Sequence, residues 1–188
     1  MNRSQKKDLT SENPFWCLLK FAVPVIIGNL FQLFYTLADS VIVGKTLGTN
    51  SLAAVGSTSI IIYFVLCFIN GFTSGFGICL GQRCGAKDHA GMRKSIAASA
   101  VLSIFFSVLL TLICCLLTHQ LITIMKIPED ISKEAYDYMF VVLLGTSATV
   151  FYNLISNMLR ALGDSNMPLY FLVFSSILNI FFDLLFIV

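Results

Sequence analysis

Long uncharged apolar runs alternate with short charged stretches along the whole chain, and the length of the runs sets the first expectation. A bilayer core of about 30 Å needs about 20 helical residues. Five segments meet that length, at about 21–43, 51–80, 95–117, 138–162 and 167–188. Barrel strands are short and alternate in polarity, so these runs predict helices. The pattern therefore predicts an all-α, polytopic membrane helix bundle over residues 21–188, preceded by an arm at 1–20.

Polar residues inside the runs are spaced as helix faces. In the first run Gly28, Gln32, Tyr35 and Asp39 fall at i, i+4, i+7 and i+11. In the fifth, Ser175, Asn179 and Asp183 share a face, and in the fourth Thr149, Asn153, Ser156 and Arg160 do so. Three otherwise apolar helices with one polar stripe each are expected to turn those stripes toward one another, away from lipid. Pro24 lies in the first turns of the first run, where it either starts the helix or, inside it, acts as a hinge. Glycines at 71, 75, 77, 81 and 85 predict close helix approach.

Composition agrees with the pattern. The chain has 188 residues, 57% apolar and 12% charged, against about 25% charged in a soluble domain. Net charge is only +2, which gives no indication of a nucleic-acid partner. Its distribution says more. With the N-terminus inside, nine of the twelve basic residues fall on the cytosolic side, in the arm, in the loop carrying Arg83, Lys87, Arg93 and Lys94, and at Arg160. Lys45, Lys126 and Lys133 fall outside. The positive-inside rule then predicts a cytosolic N-terminus and an external loop at 127–137. No cleavable signal sequence is expected. The chain stops on apolar residues with no polar flank, which reads as the N-terminal portion of something longer.

Candidate chemistry is confined to the membrane. Asp39 and Asp183 are the acids of two runs that hold no other charge, and an ionised Asp near the centre of a membrane helix costs about 2.5–3.5 kcal/mol to insert. At 1.5 Å per residue Asp39 lies roughly 27 Å and Asp183 roughly 23 Å from the inner end of its run, so both reach a similar depth. Two carboxylates on one cavity can share a proton, and H⁺, Na⁺ or a cationic substrate would compete for their charge. Each acid also has a structural alternative: a hydrogen-bonded interior group at Asp39, an interfacial one at Asp183. Gln32 and Asn153 could equally be helix–helix glue. The six cysteines are expected to be packing residues without disulfide or metal. His89 and His119 lack partners at metal spacing. The loop at 81–94 lacks the GxxxxGK[ST] of a phosphate loop, and Ser, His and Asp form no triad. No enzymatic activity is expected.

Several motifs together resemble one family. Pro24, Gln32, Tyr35, Asp39 and the following Ser40-Val41-Ile42-Val43-Gly44 look like the first helix of the multidrug and toxic compound extrusion (MATE) transporters. Leu47-Gly48 through Leu52-Ala53-Ala54-Val55-Gly56, Gly81-Gln82-Arg83-Cys84-Gly85-Ala86, Arg160-Ala161-Leu162-Gly163-Asp164 with Pro168, and the pair Asn179 and Asp183 follow in the family's order. The resemblance implies a partial N-lobe: five helices of a six-helix lobe, with the sixth helix and a second lobe missing. It implies export of cationic, amphipathic drugs in exchange for H⁺ or Na⁺ without another cofactor. Ion coupling is then expected at Asp39, Asp183, Asn179 and Asn153, with Na⁺ at Asp39 and Asp183 as the one metal. Gln32 and Tyr35 would line the substrate cavity, and Pro24 would be the kink. The expected setting is the cell membrane. A lipid-linked saccharide flippase of the same superfamily is the nearest alternative, disfavoured by acidic intramembrane charge. A non-transporting membrane fragment is the other.

Overall fold

The structure, a computed structural model, describes residues 14–186; the side chains of Pro14, Cys17, Asp183, Leu184 and Phe186 lie outside the description. Six helices run in order: α1 (Pro14–Thr46), α2 (Gly48–Gly85), α3 (His89–Ile124), α4 (Glu129–Leu144), α5 (Thr146–Ala161) and α6 (Asn166–Phe186). Three of them are long and apolar enough to cross a membrane alone: α1, α2 and α3. The pair α4 and α5 makes a fourth span, bent by 43° at Gly145. The apolar stretch of α6 is shorter, Asn166–Phe182.

Helix ends differ from the expected ones wherever charge flanks an apolar run. The first helix starts at Pro14, inside the expected arm, so Pro24 lies in the helix interior. Having no N–H, it cannot donate the i to i−4 hydrogen bond of a regular helix at that position. The basic loop expected at 81–94 is mostly helix, because α2 continues to Gly85 and α3 begins at His89. Only three residues turn between them. Lys87 takes the left-handed conformation at φ 56°, the Asp88 carboxylate accepts from Gly91 N–H at 2.9 Å as an N-cap, and the Arg83 guanidinium donates to the Gly91 carbonyl at 2.6 Å. The external loop expected at 127–137 is likewise the start of α4. Pro128 precedes it and Glu129 and Asp130 occupy its first turn, where negative charge complements the helix dipole. The fourth helix thus begins nine residues before Tyr138 and breaks at Gly145.

Helix α2 is central, packing on α1, α3, α4 and α5, while α1 packs chiefly on α6. Cys114, Ile122, Met139 and Leu143 form one buried cluster; Ala54, Ile131 and Ala135 form another. Between α2 and α3 the rings of Phe72 and Phe106 stack at 3.7 Å. Three buried threonine hydroxyls are satisfied by their own helices: Thr58 donates to Ala54 O at 3.0 Å, Thr73 to Ile69 O at 2.9 Å and Thr118 to Cys114 O at 2.9 Å. The buried Ser103 Oγ of α3 has no partner among the described residues. Large apolar side chains such as Phe34, Phe64, Phe105, Leu116 and Phe174 remain exposed on the perimeter. A bilayer would cover them at no cost, since lipid tails are as apolar as they are. The packing role expected of the cysteines holds for Cys114; Cys67 and Cys79 are exposed, and all five described cysteines are free thiols.

The glycines divide into two sets. Gly71, Gly75 and Gly85 face open space and bring no helices together. A Cβ at Gly77 would stand 3.2 Å from the Asn157 carbonyl and 3.3 Å from its Cβ, and one at Gly81 would touch Ala161 at 3.9 Å. The α2–α5 crossing therefore depends on Gly77, and Asn157 Nδ2 donates to Thr73 Oγ1 at 3.0 Å one turn away. Gly77→Val is expected to force α2 and α5 apart and destabilise the bundle by about 1–3 kcal/mol. Gly75→Val, on the same helix in open space, should leave the melting temperature in detergent unchanged. Equal melting for the two variants would refute the crossing role.

Candidate functional site

The α1–α6 seam has a register that can be read from one contact. A Cβ on Gly28, a buried residue of α1, would sit 3.5 Å from the Leu172 side chain of α6. With the bent pair counted as one, four crossings separate the two helices' starts (α1, α2, α3 and the α4–α5 pair), so α1 and α6 run the same way. From Gly28 the steps to Tyr35 and Asp39 are seven and eleven residues. From Leu172 the same steps reach Asn179 and position 183. Gly28 is equally close to Leu169, at 3.5 Å, so Tyr35 falls level with residues 176–179 and Asp39 with residues 180–183, about 16 Å along from the Gly28 contact at 1.5 Å per residue. The placement of 183 is that of its backbone only.

Asp39 and Tyr35 are half-buried, whereas Gln32 on the same stripe is exposed. Tyr138 of α4 lies within electrostatic range of Asp39 and Tyr35 of α1, although α1 and α4 do not pack directly on each other. One carboxylate and two phenol groups, from α1 and α4, therefore occupy a common region. On α6 the buried hydroxyl is Ser176, donating to Leu172 O at 2.9 Å, while Ser175 of the expected stripe is exposed. Asn179 is half-buried, and its Oδ1 is buried with no hydrogen-bond donor among the described residues. On α5, Asn153 is half-buried and spends its Nδ2 on the Thr149 carbonyl of its own helix at 2.9 Å, which leaves Oδ1 as its acceptor. Phenols donate, while a carboxylate and amide oxygens accept. Asp39 can hold a proton or a hard cation, with phenols on its side of the bundle able to orient a carboxylate that gains and loses one; α5, which carries Asn153, does not pack on α1.

One residue near Asp39 escaped sequence reasoning: Tyr138, which stands where the fourth helix was expected to begin and was assigned no role. Among the described residues no group of three His, Cys, Asp or Glu could hold a metal ion.

A multi-spanning apolar bundle with a half-buried acid between its helices is the architecture of an integral membrane transporter class. The chain belongs to the MatE family, whose pattern matches residues 24–185. It is 34% identical over 172 residues to the probable multidrug resistance protein YpnP of Bacillus subtilis, covering 92% of this chain and 39% of that protein. Among solved structures it is similar to a MOP superfamily transporter from Pyrococcus furiosus, with TM-score 0.90, 29% identity and coverage of 100% of this chain and 41% of the other. It is also similar to a multidrug resistance MATE family transporter in an outward-facing conformation, with TM-score 0.90, 28% identity, and 100% and 41% coverage. The chain thus spans about two fifths of the length of the relatives it matches.

Proposed function

We propose that this chain is the ion-coupling part of a secondary antiporter that exports cationic, amphipathic compounds in exchange for H⁺ or Na⁺. The observation that carries the reading is Asp39, a half-buried carboxylate on a helix of membrane-spanning length, whose charge reaches Tyr138 on a second helix. The unsatisfied Asn179 Oδ1 adds an acceptor on a third. Occupation of Asp39 by H⁺ or Na⁺ neutralises it, removes the penalty of a charge facing a low dielectric, and changes which packing of α1 on α6 is favoured. Pro24, interior to α1, supplies the weak point at which that helix can bend. A substrate cation competes for the same charge, which couples its release to ion entry. In this reading Asp183, Asn179 and Asn153 share the ion with Asp39, and Tyr35 and Gln32 line the substrate path.

Relatives named as multidrug resistance proteins in Bacillus subtilis support the substrate class. Alternating access rocks one bundle against another, so the activity is proposed for this segment within a chain of its relatives' length. The concentration of Lys20, Arg83, Lys87, Arg93, Lys94 and Arg160 at the end where α1 begins supports a cytosolic N-terminus in the cell membrane. The test is efflux of a fluorescent lipophilic cation from proteoliposomes carrying that full-length form, driven separately by a pH step and by a Na⁺ step. One of the two is expected to drive export. Export under neither overturns the antiport reading.

A further inference from the structure

A second cavity, distant from Asp39, opens at the opposite end of α1. It has a volume of about 260 Å³ and is lined by Phe21 of α1, Ser74, Gly77 and Ile78 of α2, and Asn157, Arg160 and Ala161 of α5. That is smaller than the roughly 300–1,000 Å³ of pockets that take drug-sized molecules, so it suits a small group. Its one charged wall residue is Arg160. The Nε of that guanidinium is buried and has no hydrogen-bond partner among the described residues, a costly state for a donor atom, while the residue as a whole is half-buried. The carboxylate nearest in sequence is already engaged, because Asp164 Oδ1 accepts from the backbone N–H groups of Asn166 at 3.1 Å and Met167 at 3.1 Å. Ser74 adds a hydroxyl, and Asn157 has committed its Nδ2 to Thr73.

We propose that this cavity binds a phosphate-class anion through Arg160, and that its occupant in the membrane is the phosphate of an anionic phospholipid. A planar guanidinium with an unspent donor is the side chain best matched to phosphate oxygens. The cavity's place fits a headgroup. Phe21 lies one to two turns beyond Trp16, which is exposed at the start of α1, and an amphipathic Trp marks the membrane–water boundary. Lys20 adjoins Phe21, adding positive charge that favours a net-negative lipid. Phe21, Ile78 and Ala161 offer apolar contact to the glycerol and upper acyl carbons. The site is independent of the antiport reading, since none of its residues belongs to the Asp39 cluster.

The test is native mass spectrometry of the purified protein titrated with phosphatidylglycerol or phosphatidylcholine, with a parallel titration of inorganic phosphate read by thermal shift. Both lipids carry the phosphate, but phosphatidylglycerol is expected to bind about tenfold or more tighter, because the quaternary ammonium of phosphatidylcholine offsets the charge that Arg160 meets. Arg160→Gln should abolish that preference. Ser74→Leu, which fills the cavity and leaves the guanidinium in place, should do the same, and so separates site loss from misfolding. Stabilisation by inorganic phosphate that needs Arg160, without lipid selectivity, would keep the anion site and overturn the lipid as its occupant. Equal lipid binding by wild type and both variants, with no phosphate effect, would overturn the proposal and leave Arg160 as a cation at the α5 C-terminus only.

Discussion

Asp39→Asn in the full-length form is expected to abolish export of a lipophilic cation from cells while leaving the protein in the membrane at its normal level. Two opposing terms produce that split. A carboxylate about 4 Å from a bound cation, at an effective dielectric near 20, contributes about 4 kcal/mol, so its neutral isostere should weaken ion capture by roughly a thousandfold. The same change removes an ionisable group whose insertion costs about 2.5–3.5 kcal/mol, so abundance and melting temperature should hold or rise. Tyr35 and Tyr138 retain their hydroxyls opposite the amide, and the shape of the site is kept. The measurement pairs drug resistance with surface abundance of the full-length form. Undiminished resistance at equal abundance would remove Asp39 from the coupling site.

The stripe that held Asp39 was visible in the sequence because membrane helices contain few polar residues, and each one stands out against an apolar run. The all-helical class was legible for the same reason, but five expected helices became six, because the run at 138–162 divides into α4 and α5. The helix ends were not legible. Hydropathy treats a charged segment as the end of a span, but Glu129, Asp130, Lys133 and Glu134 continue a helix whose first turn favours acids. Glu134 is also tied to the bundle, accepting from Ser51 Oγ at 3.0 Å. The bend at Gly145 was hidden because its apolar neighbours on both sides read as one run. Among the glycines, spacing alone could not separate Gly77, which meets Asn157, from Gly75, which meets nothing; that distinction depends on where α5 passes. Ser175 and Ser176 pose the same problem at one residue's rotation. The buried serine is Ser176 and not Ser175, one residue's rotation away, while Asn179 stays on the face because it neighbours residues both three and four back. Tyr138 was missed since an aromatic near a helix end packs or anchors as readily as it donates a hydrogen bond. Its meeting with Asp39 comes from tertiary structure alone.

Asn179→Leu should make the protein more stable and less active. Asn179 Oδ1 is buried without a donor among the described residues, and an unsatisfied buried polar group costs about 1–3 kcal/mol. Leucine, of similar length, replaces the amide with atoms that suit the apolar seam between α1 and α6. Stability is expected to rise by about 1 kcal/mol, read as a melting temperature higher by about 2–4 °C for a domain of this size. Export is expected to fall by tenfold or more, since a missing oxygen ligand costs a bound ion at least one charge-assisted contact of about 1.5–3 kcal/mol. An amide retained only as helix glue behaves in the opposite way: its loss lowers the melting temperature and leaves export intact. Opposite signs in stability and transport are what a site held open for an ion produces, because the acceptor that strains the empty bundle is the one the ion satisfies. A variant that melts lower and exports normally would place Asn179 among the packing residues and leave Asp39 to act without it.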